Sequence, residues 1–287
     1  MTVHPGPASS VLQLRVDRLA DDPSLMSVCP GYELTVWRSR DLARDMFDRH
    51  LASFALSYSD FTSIAPDTAA MLLRKAARAI YNTDKYAKRG EFGELFLHAV
   101  ARDFFGSEPA ISKIAFKDAP NDTVKGYDHV HVVEVGEMLE LWLGEVKFYK
   151  SVNRAIDDVT AELSAHLSSD FLRREFIAII NKLDENWPHA ESVAKILNEN
   201  VSLDDIFDVI TVPVLVTYES PTVLANTKVC EPYLYGLEAE AQQAWTRFSG
   251  RIDPSWPVRL RLILMPLHTK ADLLSELHQR LEQWQNL

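Results

Sequence analysis

The sequence has no basic excess. Its 287 residues carry 30 Lys and Arg against 41 Asp and Glu, a formal charge of −11, which argues against a free-standing, high-affinity nucleic-acid binder. A chain with a local basic surface, or one that borrows its grip from a partner, stays open. Cysteine is scarce too. Cys29 and Cys230 stand far apart with no C-x-x-C, so neither a disulfide framework nor a zinc ribbon is supported. Long apolar runs are missing: stretches such as Leu262–Leu267 fall far short of the roughly 18–20 residues a membrane span needs. The opening residues show no charged stretch followed by an apolar one, so no signal peptide is read and a reduced, cytoplasmic protein is expected. Neither G-x-x-x-x-G-K-[ST] nor G-x-G-x-x-G occurs, leaving nucleotide hydrolysis and dinucleotide binding unsupported. No serine sits in a G-x-S-x-G elbow, so acyl transfer lacks a nucleophile.

What is present is ordinary globular composition, 47% hydrophobic and 25% charged, with no repeat or low-complexity segment. Strand-like stretches are expected at Val11–Val16 and Tyr32–Trp37. A helical pattern follows through Leu42, Met46, Leu51, Phe54 and Ala55, and another opens at Pro66-Asp67. From Gly90 the order becomes informative. A helix over Glu91–Phe105 precedes strands at Ala110–Phe116, Tyr127–Val135 and Met138–Phe148. Helices then follow at Val152–Leu167, Phe171–Leu183 and Ala190–Asn198. Val209–Tyr218 and Val258–Leu267 are continuously apolar strands, a pattern expected of burial on both faces. A helix over Lys270–Trp284 closes the chain. This order predicts an α/β fold, a mixed sheet flanked by helices, with an N-terminal extension over residues 1–60 and the main domain over 61–287.

The chemistry concentrates on the third strand of that core. Side chains alternate along a strand, so Glu145 and Lys147 share the face of Leu141 and Leu143. Burying either charge alone is expensive, so they should pair with each other or with a metal. One strand earlier Asp128 shares the face of Val130 and Val132, and in the helix before it Glu94 aligns with Leu97, Ala101 and Phe105. Acid-x-Lys alone carries no value; its place at the end of an apolar strand, after Asp128 and Glu94, is the signal. A structural ion pair with satisfied core acids is the alternative reading.

The order helix–Glu, strand, strand–Asp, strand–Glu-x-Lys, helix, strand resembles the PD-(D/E)xK nuclease superfamily, with its restriction-endonuclease-like fold. Tyr127 stands where that pattern nominally has proline. More narrowly, Arg89-Gly-Glu-Phe-Gly-Glu-Leu95, Lys125-Gly-Tyr-Asp-His-Val130 and Leu143-Gly-Glu-Val-Lys-Phe-Tyr-Lys150 resemble the HamA family, the nuclease subunits of Hachiman anti-phage defence. The resemblance implies catalytic roles for Glu94, Asp128, Glu145 and Lys147. Asp128 and Glu145, joined by the Val146 carbonyl, would hold Mg²⁺ or Mn²⁺, Lys147 would lie by the attacking water, and Glu94 would be an outer ligand or would orient a metal-bound water. It also implies DNA as substrate, cleaved with little sequence specificity, and a helicase partner that restrains the subunit. A non-cutting, nuclease-fold adaptor or DNA-sensing module is the rival from another class; a structure-specific repair nuclease is a second rival.

Charge is uneven. Arg74, Lys75, Arg78, Lys85, Lys88 and Arg89 face one acid, Asp84, and run into the Glu94 helix; with Lys150 they are candidates for the DNA backbone, or else a solvated face. The stretch from Asp184 to Asp208 holds seven acids and one lysine and is expected to be solvated surface, with docking of a basic partner or repulsion of DNA from the resting enzyme as the alternatives. His129 and His131 share the face opposite Asp128 and, with no third ligand evident, read as a polar stripe on an outer face, binding of a transition metal being the alternative. His98, one turn after Glu94, either approaches the site or flanks it.

Overall fold

The computed structural model describes residues 10–80, 90–112 and 126–287. Its first strands are β1 (Gln13–Arg18), β2 (Ser24–Cys29) and a small hairpin of β3 (Tyr32–Glu33) and β4 (Val36–Trp37). Helix α1 (Ser39–Asp45) passes through a π-helical turn (Met46–His50) into α2 (Leu51–Ala55), followed by α3 (Tyr58–Thr62) and α4 (Ala69–Ala79). The central run is α5 (Glu91–Phe105), β5 (Glu108–Pro109), β6 (His129–Val135), β7 (Met138–Phe148) and α6 (Val152–His166). Then come α7 (Ser169–Ile180), α8 (Ala190–Ile196), α9 (Leu203–Phe207), β8 (Ile210–Glu219), α10 (Pro221–Ala225), α11 (Glu231–Ser249), β9 (Arg259–Leu267) and α12 (Lys270–Gln285).

Seven strands form one sheet in the order β1-β2-β9-β8-β7-β6-β5. Its centre, from β2 through β9 and β8 to β7, is parallel, while β1, β6 and β5 are antiparallel to their neighbours. This mixed α/β architecture is consistent with a restriction-endonuclease-like fold. β8, buried along all but its last residue, and the buried Leu262–Leu267 part of β9 lie at the middle of the sheet, where both faces are covered.

Alternation along β7 divides the core in two. Trp142, Val146 and Phe148 face α5, where they join Phe92, Leu95, Phe96 and Leu97. Leu141 and Leu143 face the other way and join Ala155, Ile156, Val159 and Leu163 of α6. Those α6 side chains recur at the spacing of one helical face and are completely buried, each contributing about 1.5–3 kcal/mol when large and aliphatic. Ser151 starts α6 by accepting a hydrogen bond from the Arg154 N–H.

The early sequence differs most from expectation. Tyr32–Trp37 is not one strand: Leu34 and Thr35 both take positive φ and fold it into the β3–β4 hairpin. Ser24–Cys29, not anticipated, is a wholly buried strand, so β1 and β2 both belong to the main sheet. Of the stretch expected as a strand over Ala110–Phe116, residues 110–112 are not strand, the short β5 precedes them, and the remainder lies outside the described residues. Among the described residues no helix is long and apolar enough to cross a membrane.

Candidate active site

The antiparallel register of β6 and β7 pairs His129 with Gly144 and Val130 with Leu143. One step beyond the ladder, Asp128 donates its N–H to the Gly144 carbonyl at 3.0 Å, and its Oδ2 accepts the Val146 N–H at 3.1 Å. Asp128 is thereby fixed alongside Glu145. Its approach passes through Gly126, whose φ of +131° is a conformation that L side chains rarely adopt. Glu175 accepts the Tyr127 N–H at 3.2 Å.

Glu145 is 2% exposed, and its Oε1 accepts a hydrogen bond from His166 Nδ1 at 2.6 Å. Burial pushes its carboxyl up to about 7; the His166 hydrogen bond opposes this, the Asp128 charge reinforces it, and Lys147 opposes it. Lys147, also buried, donates from Nζ to Glu162. Burial alone would lower its pKa, but the Glu162 hydrogen bond and charge, then Glu145 and Asp128, raise it above the ordinary lysine value. His166 is likewise raised: the Glu145 hydrogen bond and charge, with Glu162 and Asp128, outweigh burial. Lys147 is therefore a charged ammonium at neutral pH beside two carboxyls. Glu145 and Lys147 do lie on one face of β7, yet each takes its hydrogen bond from α6, not from the other.

Glu94 enters from the opposite side of the sheet. It lies in the first turn of α5, on the same helical line as the buried Leu97, Ala101 and Phe105. The preceding residue, Gly93, packs on Val146, which seats the start of α5 over the strand segment between Glu145 and Lys147. Asp128, the Val146 backbone, Glu145 and Lys147 are thus brought together at one end of β7, with the start of α5 behind them.

The basic candidates are dispersed. Arg74, Lys75 and Arg78 lie on α4, whose buried side joins the α5 core, with Lys75 paired to Asp60 at 2.6 Å. Lys85, Lys88 and Arg89 lie outside the described residues. Lys150 follows the end of β7, with its side chain 64% exposed and 3.5 Å from Glu219. In the acidic stretch, Asp184 accepts the Ser59 N–H and hydroxyl, so part of it is structural.

The histidines correct the sequence reading. His129 and His131 do face away from Asp128, but that face is covered by α5 and both are buried. His131 Nε2 lies 3.1 Å from His98 Nδ1, its Nδ1 lies 2.9 Å from Ser107 Oγ, and His98 Nε2 lies 2.9 Å from Ser53 Oγ. His129 stacks on His131 with centroids 3.5 Å apart. His98 therefore belongs to a buried polar chain on the other side of the sheet from Asp128. Sequence reasoning also missed Glu162 and His166. They are four apart on α6, flanking the apolar stripe of Val159 and Leu163, a placement too common among polar residues to single them out.

A carboxylate pair on adjacent strands, Asp128 and Glu145, offers oxygen donors of the kind hard divalent cations take. A Glu145 carboxyl whose ionisation burial and Asp128 both disfavour is what a bound cation would relieve. The residues present fit such an ion. A different cluster, Asp45, His50 and Asp103, brings three potential ligand atoms within 4.8 Å of one another. There Arg49 already bridges both carboxylates, so the cluster is closed by a fixed cation.

A model of the HamA family matches residues 9–281. The chain belongs to the HamA family. The match runs through α5, β6, β7 and α6 and reaches into both ends of the sheet, well beyond the motifs of residues 89–150. HamA membership makes the chain a component of Hachiman anti-phage defence. Comparison with curated proteins finds no match.

Proposed function

We propose that this HamA chain is a metal-dependent DNA nuclease of PD-(D/E)xK type with little sequence specificity, acting as the effector of a Hachiman defence system under the restraint of a helicase partner. The observation that carries the reading is the Asp128 carboxylate hydrogen-bonded to the Val146 N–H, which places it beside Glu145 and one side chain from the Lys147 ammonium. Asp128, Glu145 and the Val146 carbonyl would hold Mg²⁺ or Mn²⁺, which supplies charge neutralisation at the phosphate and a lowered pKa for the attacking water. Lys147 orients the nucleophile and offsets charge that develops on the scissile phosphate. A compact ammonium on a flexible stem suits that place better than a guanidinium. Glu94, from the far side of β7, serves as an outer ligand. Lys150, exposed beside the strand end, is positioned for the DNA backbone; Arg74, Lys75 and Arg78 with Lys85, Lys88 and Arg89 are the wider candidate track. Because the net charge is −11, DNA binding by this chain alone should be weak and fall steeply with salt.

The test is cleavage of supercoiled plasmid with Mg²⁺ by the wild type and by Glu145→Ala and Lys147→Ala, with folding checked by circular dichroism. Wild-type cutting abolished in both variants is expected. Undiminished cutting by either variant overturns the site. A second reading, a non-cutting adaptor, draws on one observation: His166 and Glu162 already satisfy Glu145 and Lys147 without a cation. Calorimetry with Mn²⁺ separates the two, since the nuclease site binds the ion through Asp128 and Glu145 and an adaptor has no need to.

A further inference from the structure

Each of the two charged side chains at the end of β7 is held by the same helix. Glu162 accepts from Lys147 Nζ and His166 Nδ1 donates to Glu145 Oε1 at 2.6 Å. The two α6 residues are four apart, so they project from adjacent turns on one side of the helix, while the strands place Glu145 and Lys147 two apart on one face. The spacings match because α6 is seated on that face by Ala155, Ile156, Val159 and Leu163. His166 is itself held. Its ring stacks on Phe171 at 4.3 Å with planes 12° apart, and its carbonyl accepts the Tyr127 hydroxyl at 3.3 Å. Tyr127 directly precedes Asp128, so this last bond ties the strand end carrying one carboxylate to the helix that aims the other.

We propose that Glu162 and His166 are positioning residues, Glu162 for the Lys147 ammonium and His166 for the Glu145 carboxylate. The proposal rests on the nuclease reading above and adds two residues that no sequence motif singled out. A free lysine side chain samples many rotamers; with one carboxylate holding Nζ, Lys147 presents its remaining N–H donors in a fixed direction. A glutamate whose Oε1 is engaged by a stacked imidazole is likewise restricted to presenting Oε2. Groups that orient ligand carboxylates in this way typically change metal affinity or activity by about 10–100-fold when removed.

The two halves have separable readouts, measured on the full chain. Glu162→Ala should lower kcat for plasmid cleavage by about 10–100-fold with KM and Mn²⁺ affinity near wild type. Glu162→Gln, which keeps an acceptor oxygen, should recover most of the loss. His166→Ala should weaken Mn²⁺ binding in calorimetry by about 10–100-fold, and His166→Asn, whose amide offers an N–H near the place of Nδ1, should restore it. A purely structural role predicts instead that the alanine variants lose Tm while their folded fraction cuts normally. That result, or conservative variants no better than alanine, overturns the proposal. A wild type that neither cuts DNA nor binds Mn²⁺ removes the nuclease reading itself, and this proposal with it. A wild type that cuts while both alanine variants match it removes only the positioning role.

Discussion

Gly93 of α5 lies against Val146 of β7 so closely that a Cβ on it would stand 2.6 Å from Val146 Cγ1 and 3.2 Å from Phe148 Cβ. The contact joins the residue before Glu94 to the residue between Glu145 and Lys147. Val146 is β-branched and has little freedom to turn away. Gly93→Ala gains about 1 kcal/mol of helix propensity but forces α5 off the strand, an overpacking cost of about 1–3 kcal/mol. We expect a net loss of stability in urea denaturation, together with a loss of Mg²⁺-dependent cleavage larger than the stability change accounts for. An alanine variant as stable and as active as wild type would show that α5 can shift freely at this point.

The central elements were legible because their patterns are local. The ends of α5 and β7 match the expected Glu91–Phe105 and Met138–Phe148, since a strongly apolar helix and a long strand each announce their period. The same alternation correctly put Glu145 and Lys147 on one face. What covers each face is a tertiary fact. His129 and His131 read as an outer stripe because a sequence does not say that α5 closes that side. β2 was missed because Ser24 and Ser27 interrupt its apolar run, although all six of its residues are buried. No element was expected over α11, whose buried positions Tyr233, Leu237, Ala241, Ala244 and Phe248 recur at helical spacing but are partly small. The partners of Glu145 and Lys147 were equally hidden: polar residues beside an apolar stripe are common, and only the docking of α6 shows that Glu162 and His166 meet those two.

Arg49 is a half-buried tie between three parts of the chain. From the π-helical turn its Nη1 reaches both Asp45 oxygens at 3.2 and 3.1 Å, and both amino groups reach Asp103 of α5, at 3.0 and 2.6 Å. Asp45 also accepts the Val11 N–H at 3.2 Å, so the segment leading into β1 hangs on the same knot. Burial would raise the Asp103 carboxyl, but His50, with Nε2 3.4 Å away, and the Arg49 hydrogen bonds and charge hold it at about 2. Its contribution to stability is therefore present above the ordinary aspartate value near 4 and is lost as pH falls toward 2. Arg49→Ala leaves two buried carboxylates without their cation and should cost about 3–5 kcal/mol in urea denaturation. Arg49→Lys should rescue little, because an ammonium cannot span two carboxylates. A cost below about 1 kcal/mol would mean the knot is solvated like a surface pair.

The buried chain of His98 and His131 makes stability fall on mild acidification. Both imidazoles are held well below the ordinary histidine value, by burial first and then by neighbouring charge that includes Arg102. In the unfolded chain each titrates near 6.5. As pH falls below that, the unfolded state takes up protons the native state refuses, so the native state loses about 1.4 kcal/mol per pH unit for each histidine. The loss continues until the native imidazoles themselves protonate, far below neutrality. Glu145, raised to about 7, works in the opposite direction over part of this range, so the informative quantity is a difference between two proteins. Urea midpoints measured from about pH 7.5 down to about pH 5 should fall less steeply for His98→Gln than for wild type, by the slope of one proton. His131→Gln should behave the same way. Parallel slopes in all three proteins would show that the imidazoles are charged in the native state and that the hydrogen-bonded chain through Ser53 and Ser107 does not hold them neutral.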